Sequence, residues 1–271
     1  MVPIRLFLFL LLIPLMCGAC GPFTQTKHAS SQTLSVFAAA SLNEVFADIE
    51  TEFETQYPGT DLVLNFAGSQ TLRLQIEQGA QFDVFASANH EQMQGLIDKN
   101  FLHQSVDFTE NQMVLIIPNS NPGEIHSLKD LTRPGLKLVL ASETVPAGRY
   151  ARLVLGKLNH HPLLGTSFET SVLRNLVSEE DNVKGVVTKV QLGEADAGIV
   201  YSSDSTPQVH ALEIPSEYNV LANYPVAIAT SSQRQALAQR FIDFVLSSRG
   251  QTMLASHGFQ PSQIQALGQQ P

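Results

Sequence analysis

The sequence predicts an α/β protein of two lobes, each a mostly parallel sheet flanked by helices. Three observations carry that expectation. Short apolar runs alternate with segments whose apolar residues recur at helical spacing, from Leu34 almost to the C-terminus. The alternation breaks once, at the turn-rich stretch 118–127, with helix-flanked strands on both sides of the break. No internal repeat, low-complexity block or Gly/Ser linker divides the chain, so strands rather than a flexible tether should join the two parts.

Taken in order, the run LSVF closes a first strand at Phe37. A helix marked by Leu42, Val45, Phe46, Ile49 and Phe53 follows it. Residues 62–66 (LVLNF) form a strand, and the next helix runs through Leu72 and Ile76 to a stop at Gly79. Residues 82–88 (FDVFASA) read as a buried strand leading to a helix through Met93, Leu96 and Ile97. The strand 113–117 (MVLII) ends at Pro118, and 136–141 (LKLVLA) precedes a helix carrying Tyr150, Leu153, Val154 and Leu158. The stretch 168–177 reads as helical. A further helix then places Val183, Val186, Val187 and Val190 on one face and stops at Gly193. Strands are expected at 197–201, 210–214 and 224–229, and helices through Leu237, Phe241, Phe244 and Val245 and around Met253 and Leu254.

A chain of 271 residues can bury one large core or two smaller ones, and its hydrophobic share is that of a soluble globular protein. A formal charge of −9 argues against nucleic acid as a partner. It also means that an anion would have to be held by local dipoles rather than by long-range attraction. The N-terminus reads as a targeting segment, residues 1–19. Arg5 is followed by the apolar run LFLFLLLIPLM, which is too short to span a bilayer. The residues CGACGPF place Gly18 and Ala19 before Cys20 and resemble a bacterial lipobox, although Cys17 stands where that pattern prefers Leu. Cleavage before Cys20 and lipid on its sulfur are the expectation; a conventional cleaved signal peptide is the alternative. Residues 20–32 then read as a flexible tether. Both cysteines lie in this region, which leaves no cysteine for a core disulfide, a thiolate metal site or a nucleophile.

One kind of helix start recurs. Residues 37–41 (FAAAS) lead a strand into a helix past three alanines, with Ser41 where an N-cap belongs. FAGS repeats the pattern with Ser69 at the helix entry. Pro146 suits a first helical position, beside the bare Ala147 and Gly148, and the amides near Val183 open a fourth helix. Open α/β sheets gather such helix starts at the carboxyl ends of their strands. Amides and hydroxyls there form an anion site without any cation.

The blocks VFAAASL, FAGSQTLRLQIEQGAQFDVFASA, VPAGRYA, EDNVKGVV, AGIVYSSD and YPVAIA resemble, in order, segments of the periplasmic molybdate-binding proteins of ABC transporters. The resemblance covers nearly the whole chain beyond the leader. It implies a type II periplasmic-binding-protein fold, in which two lobes close over one molybdate or tungstate and deliver it to a membrane permease. By position, it places ligand contacts on the hydroxyls and amides of Ser41 and Ser69, on the backbone amides of Ala147 and Val183, and on the phenol of Tyr201. The sequence departs from the family at Gly68-Ser69-Gln70, where many relatives carry a run of serines. With the resemblance come lobes of 33–112 plus 222–271 and of 113–221, with 113–117 and 224–229 as crossing strands. The protein is expected to be a monomer anchored outside the cytoplasm by its lipid, needing no cofactor and performing no catalysis.

Several residues invite other readings. Arg73 and Arg149 follow proposed contacts, but their spacing turns them to a different helix face. Glu179, Glu180 and Asp181 read as solvated acids in a first helical turn, where the macrodipole favours them. Asp83 reads as a buried structural carboxylate. His90 and the pair His160-His161 lack partners at metal-ligand spacing. The rival functions are binding of sulfate, phosphate or an organic acid, and serine hydrolysis through Ser41 or Ser69. An organic acid would favour an Arg fork, and a hydrolase lacks its G-x-S-x-G or S-x-x-K motif here.

Overall fold

The computed structural model of the chain describes residues 32–262. The leader, Cys20 and the tether up to residue 31 lie outside the described residues. The first strand, β1 (Gln32–Ala39), passes through a 3₁₀ turn (Ala40–Leu42) into α1 (Asn43–Gln56). β2 (Thr60–Ala67), α2 (Ser69–Glu77), β3 (Val84–Ala86) and α3 (His90–Ile97) follow. The long β4 (Val106–Pro118) leads to β5 (Leu138–Ala141), α4 (Pro146–Leu158), α5 (Phe168–Leu173), β6 (Leu176–Glu180) and α6 (Val183–Gln191). β7 (Ala197–Tyr201), β8 (Val209–Glu213), β9 (Leu221–Ile228), α7 (Gln235–Leu246) and α8 (Ser248–Ser256) complete the described chain.

The strands form one mixed sheet in the order β2-β1-β3-β9-β4-β7-β5-β6, with β8 also pairing β4. Pairs made through a helical crossover are parallel: β1 with β2 and β3, and β5 with β6 and β7. Every pair made by β4 or β9 is antiparallel, so the expected mostly parallel sheets meet through two strands of opposite sense. β4 has 13 residues and uses both halves. Val106–Gln112 pairs with β9, and Met113–Pro118 pairs with β7 or β8.

The helices bury most of the residues that mark their apolar faces, although Leu153 of α4 is exposed. In α1, Val45, Phe46, Ile49 and Phe53 are buried. Phe241 of α7 packs edge-on against Phe46 and Phe53 at 5.8 and 5.6 Å between ring centres. Each ring removed from water in this way contributes about 1.5–3 kcal/mol.

Three expectations are corrected. Residues 168–177 are not one helix, because α5 stops at Leu173 and β6 begins at Leu176. β6 is an edge strand with Val177 and Glu179 exposed, and charged side chains suit an edge that should not pair further. Glu179 and Glu180 therefore end a strand instead of opening a helix, and Glu180 is bound by Lys189 at 2.6 Å rather than solvated. β4 also starts seven residues before 113. Its polar entry was unreadable as a strand, yet Thr109, Glu110 and Asn111 are all buried there. Their polar atoms are met: the Thr109 hydroxyl and the Glu110 amide both donate to the Gln260 carbonyl, at 2.8 Å each.

Candidate functional site

Five strand ends converge on one small cavity. Ser41 enters it from the 3₁₀ turn after β1, Ser69 from the first residue of α2, and Ala147 from the second residue of α4. Val183 comes from the first residue of α6, and Tyr201 from the end of β7. The structure thus brings together all five residues that the resemblance singled out, from positions spread over 160 residues of chain. The cavity measures about 10 Å³ as space for the centre of a water-sized sphere, room for one compact body. Among the described residues, no charged side chain lines it.

Its polarity comes from donors. The first amides of α2, α4 and α6 have no partner within their own helices and carry the positive end of each helix dipole. The N-cap Asn182 uses its side chain on Gly185 N–H at 3.1 Å, two residues beyond Val183. Gly148 lets α4 start close to its strand, since a Cβ there would lie 2.1 Å from the Ser142 carbonyl oxygen.

The serines behave differently from the sequence reading. Ser41 does not cap a helix: the 3₁₀ turn is entered at Ala39 and α1 at Leu42, neither with a side-chain cap. Its hydroxyl instead lies 2.9 Å from the phenol oxygen of Tyr224, because the intervening 3₁₀ turn rotates it toward the sheet. The Ser69 oxygen accepts the Ala88 N–H at 3.0 Å. Tyr201 is 1 % exposed, and its hydroxyl oxygen is enclosed without a hydrogen bond of good geometry, although the Tyr224 ring stands edge-on beside it at 5.7 Å. Burial, reinforced by Tyr224, Tyr150 and Asp204, pushes its phenol well above the ordinary value, so it remains a neutral donor.

Around the cavity, elements from opposite sides touch. Gln70 Nε2 donates to the Asp181 carbonyl at 2.9 Å, and a Cβ on Gly68 would lie 2.6 Å from that same oxygen. Lys184 Nζ bridges Glu44 of α1 at 2.6 Å and the fully buried Asp204 at 2.8 Å. Arg149 pairs with Glu91 of α3. The small residues before Ser69 thus admit the loop that precedes α6.

The other flagged groups stay outside. Arg73 binds Glu77 at 2.8 Å, Asp181 is exposed, and His90 pairs with Asp107 at 3.0 Å. Asp83 accepts from Ser35 N–H at 2.9 Å and from Ser232 Oγ at 2.6 Å, a structural role. Among the described residues, no group of three or more His, Cys, Asp and Glu is placed to hold a metal ion.

Sequence reasoning missed Tyr224, Asn111 and the Lys184–Asp204 pair. Tyr224 sits inside the block YPVAIA, but only the pairing of β9 with β4 puts it beside Ser41.

With this geometry in view, known proteins add a consistent picture. The molybdate-binding protein ModA of Mycobacterium tuberculosis is 34% identical over 249 residues, which cover 90% of this chain and 91% of that protein. ModA of Escherichia coli is 29% identical over 258 residues, covering 90% and 96%. In fold, the periplasmic molybdate-binding protein of Azotobacter vinelandii superposes with a TM-score of 0.73 at 20% identity, covering 85% of this chain and all of that one. The sulfate-binding protein SubI of Mycobacterium tuberculosis does so with a TM-score of 0.76 at 15% identity, covering 88% and 89%. Residues 34–260 match the family model described as bacterial extracellular solute-binding protein, and the chain belongs to that family.

Proposed function

We propose that this protein captures molybdate, and tungstate as well, outside the cytoplasm and hands it to an ABC permease, without catalysing a reaction. The observation that carries the reading is a one-body cavity walled by uncharged donors: helix-start amides, two serine hydroxyls and the enclosed hydroxyl of Tyr201. An oxyanion loses much hydration on entry, and the neutral donors in this wall restore it. Hydrogen bonds to a charged group contribute about 1.5–3 kcal/mol each. Five or more, after association costs, support affinity of about −8 kcal/mol or better. The names of the relatives point the same way.

Hydrolysis is disfavoured by the partners of the two serines. Ser41 meets a phenol and Ser69 a backbone amide, and among the described residues neither meets a histidine. In this reading the protein is a monomer of two lobes, 33–112 with 222–271 and 113–221, and needs no cofactor. Lipid on Cys20 anchors it. Incorporation of labelled fatty acid, lost in Cys20→Ser, checks the anchor; equal labelling of both proteins would remove it.

The principal test is isothermal titration of anion-free protein with molybdate, tungstate, sulfate and phosphate. The expected result is sub-micromolar, one-to-one binding of both metal oxyanions, with sulfate and phosphate far weaker because a smaller tetrahedron cannot reach every donor. A folded protein silent toward both metal oxyanions would end the proposal.

A further inference from the structure

The contact between Ser41 and Tyr224 decides which way the Ser41 proton points. A serine hydroxyl has one proton and two lone pairs. If Ser41 donates to Tyr224, it turns a lone pair into the cavity and repels an anion. If Tyr224 donates to Ser41, the Ser41 proton is free to enter the cavity.

The surroundings of Tyr224 favour the second arrangement. Its side chain is fully buried, and its ring is held edge-on by Phe259, Tyr201 and Phe108 at 5.5, 5.7 and 6.4 Å. The oxygen is therefore fixed 2.9 Å from Ser41 Oγ. A phenol so enclosed must place its proton on a protein atom, and Ser41 Oγ stands in reach to accept it. A phenol, more acidic than an alkyl alcohol, is also the better donor of the two. Ser69 repeats the design with a backbone group, since the Ala88 N–H fills its oxygen.

We infer that Tyr224 is a positioning residue of the anion site: it donates to Ser41 Oγ, so that Ser41 turns its proton to the cavity and its acceptor side to Tyr224. The inference rests on the oxyanion reading above and adds a selectivity to it. Successive hydrogen bonds Tyr224 → Ser41 → anion polarise one another in the direction that strengthens the last. An anion that carries its own proton meets both serines on their donor sides. Sulfate and hydrogen phosphate are close in size and differ in that proton, so the site should prefer sulfate.

The test is a double-mutant cycle on the full chain, with molybdate titrated into wild type, Tyr224→Phe, Ser41→Ala and the double variant at pH 7.5. Tyr224→Phe should weaken binding about tenfold in the wild-type background. It should weaken binding by no more than about twofold when Ser41 is already alanine. Sulfate should displace molybdate from wild type better than hydrogen phosphate does, and Tyr224→Phe should narrow that gap. Equal losses in both backgrounds would assign Tyr224 to packing and overturn the inference, as would unchanged affinity in Tyr224→Phe. Wild type displaced equally well by sulfate and hydrogen phosphate would overturn it without any variant having to fold. A folded wild type that binds neither molybdate nor tungstate would remove the oxyanion reading itself, a result distinct from the other three.

Discussion

Tyr201 shows at the scale of one residue how the proposed anion site stores an unfavourable feature. Its hydroxyl is enclosed and lacks a well-formed hydrogen bond, which costs the ligand-free fold about 1–3 kcal/mol. Tyr201→Phe removes that orphaned group and keeps the ring, including its edge-on contacts with Tyr150 and Tyr224. The expected outcome is a split in sign. Thermal unfolding without ligand should occur at the same or a higher temperature, while molybdate affinity falls about tenfold. A variant that loses both stability and affinity would mean that the hydroxyl has a structural partner. Ser41 and Ser69 differ from it in that each hydroxyl already has a partner, the Tyr224 phenol and the Ala88 N–H.

Among elements, α6 carries the most tension. It presents Val183 to the cavity, and its next residue, Lys184, lies between Glu44 on α1 and Asp204 in the 3₁₀ turn that follows β7. Burial pushes the Asp204 carboxyl from 3.8 up to about 6, although the Lys184 ammonium beside it pulls the other way. The folded protein therefore holds a proton across that window which the unfolded chain has shed. Stability from this group is full below 3.8 and is lost as pH rises to about 6. Measured as wild type minus Asp204→Asn, the free energy of unfolding should fall over that interval, by on the order of 3 kcal/mol. A difference that stays flat or rises would show that the ion pair compensates burial completely. The other flagged acid, Glu180, has its carboxyl below the ordinary range, so its contribution runs in the opposite sense.

For the whole molecule, the central feature is that β4 and β9 lie side by side in the middle of the sheet order. The proposed lobes would share the cavity, Ser41 and Ser69 from one and Ala147, Val183 and Tyr201 from the other. A ligand that contacts both sides favours the conformation in which they approach. The pairs Lys184–Glu44 and Arg149–Glu91 and the Gln70–Asp181 hydrogen bond would then form only on approach. Exposed pairs of this kind contribute about 0.2–1 kcal/mol each, so ligand contacts rather than the rim must drive closure. Small-angle scattering should accordingly record a smaller radius of gyration with molybdate than without it. Identical curves under saturating molybdate would reject closure of the proposed lobes on the ligand.

Much of this was legible in the sequence because it depends on near neighbours along the chain. Periodicity marked the buried faces of α1 and α6 and, in α4, Val154 and Leu158, and small residues with Ser or Pro marked the helix starts that surround the cavity. What could not be read locally was decided by register and crossover. The polar entry of β4 is a strand because β9 and Gln260 satisfy its backbone and side chains. The acids of β6 sit in a strand because that strand is an edge. Ser41 was expected to cap a helix, a choice that local spacing allows. The sheet instead brings Tyr224 to it from 183 residues away. The sequence by itself determined which groups could donate to an anion. Only the tertiary structure decided that they meet around one cavity and what stands behind each hydroxyl, because those partners come from strands distant in sequence.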